Sequence, residues 1–100
     1  MLTHQEIRNT VVPLAKKYNV VKIDLFGSYA KGTNHEDSYI DVAVVSRDIK
    51  NSFTETAKLA KYTRGIDLRI EPHPIKIDDY RNGDYFVNEI KRTGIKISVA

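Results

Sequence analysis

One hundred residues, 41% of them apolar, suit one compact domain spanning residues 1–100, and a net charge of +3 from sixteen basic and thirteen acidic side chains favours polyanions only weakly. With no cysteine, disulfides, thiolate catalysis and zinc–thiolate sites are excluded. No uncharged apolar run approaches the ~18 residues needed to cross a bilayer, and the amino terminus lacks the order of a signal peptide, so a cytoplasmic protein without membrane contact is expected.

In chain order, residues 3–18 read as a helix. Thr3 and Glu6 form a capping box, and Ile7, Val11, Leu14, Ala15 and Tyr18 make one apolar stripe at helical spacing. Pro13 predicts a kink, or a break into two short helices, because it lacks a donor and crowds the preceding turn. Residues 20–26 are rich in β-branched side chains and form a strand ending at Gly27, after which residues 28–31 open a short helix closed by Gly32. Residues 33–37 are loop-like. Residues 39–45 are a second strand, whose nearly unbroken apolar content implies burial on both faces.

Asn51 or Ser52 caps another helix, with Phe53, Ala57, Leu59 and Ala60 expected inward and a stop near Gly65. Residues 66–71 alternate as a strand: Ile66, Leu68 and Ile70 point one way and Asp67, Arg69 and Glu71 the other, with Pro72 and Pro74 ending it. Residues 85–93 read as a helix with Gly94 as a left-handed cap, and residues 95–98 as an edge strand that invites homodimerisation. The fold class is therefore α/β (α+β), a mixed sheet of three to four strands packed with helices. The crossover between residues 45 and 66 makes the second and third strands parallel and sets Asp41 and Asp67 near one end of neighbouring strands. If the first strand runs antiparallel, Gly27 and Ser28 reach the same rim.

Three positions carry chemical promise. Gly27-Ser28 lies where a strand feeds a helix, so backbone N–H groups, the helix dipole and the serine hydroxyl can receive a phosphate, with Lys31 and the Gly32 turn adding to the cradle. For those two letters alone a simple turn and helix cap is the commoner explanation. Asp41, in "YIDVAVV", is disfavoured in a strand and costly if buried unpaired, so something must compensate it. Asp67, in "GIDLRIE", poses a weaker version of the same problem. Two aspartates beside a phosphate-binding turn would make a site for a divalent cation and a nucleotide. His73, between two prolines, reads more readily as an exposed turn histidine than as a ligand, and His4 and His35 as lone exposed side chains. Tyr80, Tyr85 and Phe86 either pack the last helix, the favoured reading, or form a patch for a partner.

The run Gly27-Ser28-Tyr29-Ala30-Lys31-Gly32, followed by Ser38-Tyr39-Ile40-Asp41-Val42, resembles the signature of the minimal nucleotidyltransferases of the DNA polymerase beta superfamily, and the likeness extends from the first helix to about residue 70. The resemblance implies the nucleotidyltransferase fold, a nucleoside triphosphate such as ATP held with Mg²⁺ or Mn²⁺, and transfer of an AMP-like group to a hydroxyl. It gives Ser28 the triphosphate, Asp41 the metal, and Asp67 the place of the third aspartate, which orients or deprotonates the acceptor. Members of this kind are often antitoxins beside a helical HEPN partner, some of which they inactivate by adding AMP to a tyrosine.

One departure bears on activity. Tyr39 stands where the pattern has its first aspartate, on the same expected strand face as Asp41. Its phenol, with an unperturbed pKa of ~10, is neutral at pH ~7 and a poor Mg²⁺ ligand. Glu36 or Asp37 could substitute from the loop only with a loss of positioning. The expectation is an impaired transferase with a weakened metal site, or else a non-catalytic antitoxin-like subunit that neutralises a HEPN-type partner by contact. Nucleic-acid binding would need a basic stripe that the chain lacks.

Overall fold

A computed structural model describes residues 3–47 and 49–97. The first helix, α1 (His4–Lys17), starts as its sequence dictates: Thr3 accepts from the Glu6 N–H at 3.1 Å, and the Glu6 carboxylate accepts from the Thr3 N–H at 3.4 Å. Pro13 does not divide it. Both Pro13 and Asn9, whose carbonyl loses its helical donor, lie on the exposed face, where water can satisfy that carbonyl. Ile7, Val11 and Leu14 are fully buried on the other face, each contributing about 1.5–3 kcal/mol by leaving water.

Then come β1 (Val20–Phe26), the one-turn α2 (Ser28–Lys31), β2 (Ile40–Ser46), α3 (Ser52–Arg64), β3 (Ile70–Lys76), α4 (Ile77–Asn82), α5 (Tyr85–Thr93) and β4 (Ile95–Ile97). Among the described residues these strands form a mixed sheet in the order β3-β2-β1-β4, with β1 antiparallel to β2 and β4, and β2 parallel to β3. Because successive side chains on a strand alternate faces, β2 feeds two hydrophobic layers. Ile40, Val42 and Val44 pack with Ile7, Leu14 and Leu59 of α1 and α3, whereas Ala43 and Val45 pack with Ile75, Val87 and Ile90 beneath α5. Asp41 shares the parity of Ala43 and Val45, which puts it on the α4–α5 side. Among the described residues no helix is long and apolar enough to cross a membrane.

Four sequence expectations need correction. Phe53 and Ala57 do not point inward on α3: Phe53 is 85% exposed, and the face turned to the sheet carries Leu59, Tyr62 and Thr63. Spacing about Leu59 decides this, since Tyr62 and Thr63 follow it by three and four positions while Phe53 falls on the opposite side of the helix. The third strand begins at Ile70 rather than at residue 66. Ile66 and Asp67 donate to the Thr63 carbonyl, and Asp67 then accepts from the Arg69 N–H at 2.9 Å, so a side-chain turn wins over strand pairing and leaves Ile66 and Leu68 exposed.

Pro72 and Pro74 sit within β3 instead of ending it. The Arg69 carbonyl accepts from Ile40 of β2, so residues of odd number face β2 and both prolines put their missing N–H on the open edge, where no ladder partner is lost. Gly94 is not left-handed, with φ at −74°. An added Cβ there would strike the Ile90 carbonyl, so glycine is required for close approach. Ser98, the expected end of the last strand, lies outside the described residues.

Candidate active site

The antiparallel pairing of β1 with β2 sets Phe26 opposite Asp41, and thus brings the following turn to the start of β2. Gly27 adopts φ 72° and ψ −151°, a conformation open to glycine and strained for other residues. It also has no space to spare: a Cβ at residue 27 would lie 2.6 Å from Asp41 Oδ2. Ser28, half-buried, opens α2, Gly32 closes it in the left-handed region, and Lys31 is exposed. The turn is anchored from below by Tyr29, 2% exposed, whose carbonyl lies 3.1 Å from His4 Nε2 at the start of α1.

The neighbour of Asp41 on β3 is Glu71, not Asp67. In the parallel register Asp41 pairs with Glu71 and Ala43 with His73, so Glu71 and His73 project on the face that Asp41 occupies. His73 Nε2 lies 3.1 Å from Asp41 Oδ1 and 3.8 Å from Glu71 Oε1. This contact is the compensation Asp41 requires: Nε2 can donate to the carboxylate when it carries the proton, and can share a cation with it when it does not. The His73 ring packs against Phe26, with centroids 5.0 Å apart, and against Phe86 at 6.1 Å. One ligand atom from each of Asp41, Glu71 and His73 falls within 4.8 Å of the other two, and all three side chains retain access to solvent. Two carboxylate oxygens and one imidazole nitrogen at this separation, beside the close-approaching Gly27 backbone, fit a divalent cation.

Asp67 stays in the turn before β3. Arg69 donates to it through Nε at 3.2 Å and through a terminal nitrogen at 2.9 Å, and these hydrogen bonds hold the Asp67 carboxyl below the usual carboxylate range. The expected meeting of Asp41 and Asp67 on adjacent strands therefore does not occur, because strand pairing starts after Asp67. Tyr39 precedes β2 and is 62% exposed; it lines a groove of about 310 Å³ with Thr56, Ala60 and Arg64 of α3, and Glu71 and Pro72 form the other wall. Glu36 and Asp37 are exposed in the loop, where the Asp37 N–H donates to His35 Nδ1 at 3.2 Å.

His73 is not the exposed turn histidine expected but a β3 residue facing Asp41, and Glu71 has no signal of its own, because two prolines in sequence read as the end of a strand. The usable signal was parity, as Glu71, His73 and Ile75 alternate with two prolines that an edge strand tolerates. Tyr80 and Phe86 do pack: Tyr80 donates to Asp24, and Phe86 stacks edge-on against Phe26 at 5.5 Å, while Tyr85 is 84% exposed.

Residues 6–100 match the profile of the nucleotidyltransferase domain family. A comparison with curated proteins finds no match. Among solved structures, a protein from Sulfolobus solfataricus classed as a nucleotidyltransferase superposes with a TM-score of 0.65 at 18% identity, over 90% of this chain and 74% of that one. A toxin–antitoxin structure with AMP-PNP gives 0.64 at 23% identity, over 93% and 73%. A doubly substituted toxin–antitoxin MntA–HpeT gives 0.61 at 21% identity, over 99% and 75%. At these identities the likeness is one of fold.

Proposed function

The chain belongs to the nucleotidyltransferase domain family, and we propose that it binds a nucleoside triphosphate, ATP, with Mg²⁺ or Mn²⁺ at the rim shared by β1, β2 and β3 and transfers the nucleotidyl group to a hydroxyl. The observation that carries this reading is convergence. The Gly27–Ser28 turn approaches Asp41 so closely that only glycine fits, and Glu71 and His73 complete a donor set on the same face.

In this reading the Gly27–Ser28 backbone and the Ser28 hydroxyl take the phosphates, Lys31 offsets their charge from the exposed end of α2, and Asp41 with Glu71 holds the cation. Glu71 takes the place that the family resemblance assigned to Asp67, whose carboxylate is committed to Arg69. When bound, the cation neutralises phosphate charge and orients the triphosphate. The acceptor oxygen attacks the α-phosphorus, a new P–O ester bond forms, the bond to the β-phosphate oxygen breaks, and pyrophosphate leaves while the acceptor proton passes to a carboxylate of the rim. Catalysis of this kind is mostly positioning and charge, so the loss of a carboxylate at Tyr39 lowers the rate without abolishing binding. ATP labelled at the α-phosphate, with Mg²⁺ or Mn²⁺, tests it: label should pass to protein or added acceptor, and should do so faster with Tyr39→Asp. Transfer by the native chain as fast as by that variant would remove the claim of impairment, and the absence of heat on titrating ATP with either ion would remove nucleotide binding.

A second reading is favoured by a different observation, the exposure of Phe53, Ile66, Leu68 and Tyr39 around α3 and the turn that follows it. Such a face suits neutralisation of a HEPN-type protein by contact, with the rim vestigial. ATP giving no heat while a HEPN-type protein binds tightly, and binds weakly to Leu68→Glu, would select this reading.

A further inference from the structure

We propose that His73 is a direct protein ligand of the cation site, and that its nitrogen tilts the site away from Mg²⁺ toward ions that accept imidazole, of the Mn²⁺ and Co²⁺ class. This deepens the nucleotide-transfer reading and rests on it for the role of the cation, though not for its binding. Cis donors on an octahedral ion of ~2.1 Å bond length stand about 3 Å apart. His73 Nε2 is 3.1 Å from Asp41 Oδ1 and 3.8 Å from Glu71 Oε1, so small side-chain rotations complete the geometry. His73 lies diagonal to Asp41 across the parallel pair, one pleat beyond Glu71, and cannot leave that face without breaking the register of β3. Its ring is also wedged against Phe26 and Phe86, which reduces the rotamer freedom lost on ligation.

Donor chemistry sets the direction of the preference. Mg²⁺ is a hard ion that takes oxygen, whereas imidazole suits transition ions. Where the resemblance leads one to expect an aspartate, this chain has Tyr39, so an all-oxygen site has lost one charge while a nitrogen donor stands beside the remaining pair. The result is a site of two carboxylates and one imidazole, with open positions for water or phosphate oxygen.

The test uses the full chain with each metal alone, so that it is independent of nucleotide. Titrating Co²⁺ should give a visible absorption band characteristic of mixed nitrogen and oxygen ligation, and Mn²⁺ binding should be measurable by loss of its free-ion resonance signal. His73→Ala should weaken Mn²⁺ and Co²⁺ binding by about tenfold or more, with Mg²⁺ affinity changed less than about threefold. His73→Asp, an oxygen donor at the same place, should shift the preference back toward Mg²⁺, and its thermal unfolding reports whether the fold is intact. A far-shifted imidazole N–H resonance in the Co²⁺ form, displaced by through-bond contact and lost in His73→Ala, is a readout that a histidine merely near the ion would not give. Mn²⁺ and Co²⁺ affinities unchanged within about twofold in a folded His73→Ala variant would overturn the proposal and leave nucleotide transfer standing. Metal bound through His73, with no heat from ATP, would keep the ligand assignment and remove the transferase reading.

Discussion

Tyr80 of α4 donates a 2.8 Å hydrogen bond to Asp24 of β1, a carboxylate 4% exposed on the sheet face that also carries Asp41. Lys22 completes the group at 3.8 Å from the other carboxylate oxygen, with its ammonium 4.9 Å from the Tyr80 ring centroid. Burial pushes the Tyr80 phenol above its ordinary value, so it stays a donor at neutral pH. Tyr80→Phe leaves the buried carboxylate short of a donor and should destabilise the chain by about 1–3 kcal/mol, read as a lower urea midpoint at constant slope.

Gly27→Ala combines two costs. The residue would have to hold φ near 72°, and its Cβ would meet Asp41 Oδ2 at 2.6 Å. The strained backbone alone costs about 1–3 kcal/mol. Because Asp41 must move aside, Mn²⁺ binding should weaken together with stability. Thermal unfolding and metal titration on the same preparation check both.

Asp67 and Glu71 should separate by function. Glu71→Gln removes a carboxylate that faces Asp41 and should lower nucleotidyl transfer about a hundredfold, whereas Asp67→Asn should leave it within about threefold. The measurement is transfer of labelled AMP by each folded variant.

The same Asp67→Asn variant carries a pH signature. Arg69 holds the Asp67 carboxyl below its ordinary value, so the stabilisation is present above the unfolded pKa of ~3.9 and is lost as pH falls through the depressed folded value. Native and variant chains should therefore differ in thermal stability at neutral pH and converge in strong acid. Thermal unfolding across that range checks the sign.

Tyr39→Asp places a carboxylate just before β2, where the family pattern has one. It should raise Mg²⁺-dependent transfer by at least ~tenfold, with a smaller gain in Mn²⁺ because His73 already serves that ion. Parallel assays in the two metals give the ratio.

Much of the fold was legible in local chemistry. The Thr3–Glu6 capping box, the seven-residue β1, the one-turn α2 between Gly27 and Gly32, and the doubly buried β2 are each specified by neighbours in the chain. The glycine-serine turn and Asp41 were legible for the same reason, whereas the antiparallel run of β1 that joins them entered only as a condition for their meeting, which the pairing of Phe26 with Asp41 meets. The α4 helix has no such local signal, since "IDDYRN" carries no side-chain cap and buries none of its residues.

By itself the sequence determined where helices and strands begin, wherever a cap, a period or a required glycine acts within a few residues. Only the tertiary structure decided which acid stands beside Asp41 and which way Tyr39 turns. The physical reason is register: the parallel pairing of Asp41 with Glu71 joins residues far apart in the chain and depends on how α3 packs across the sheet, which no local pattern encodes.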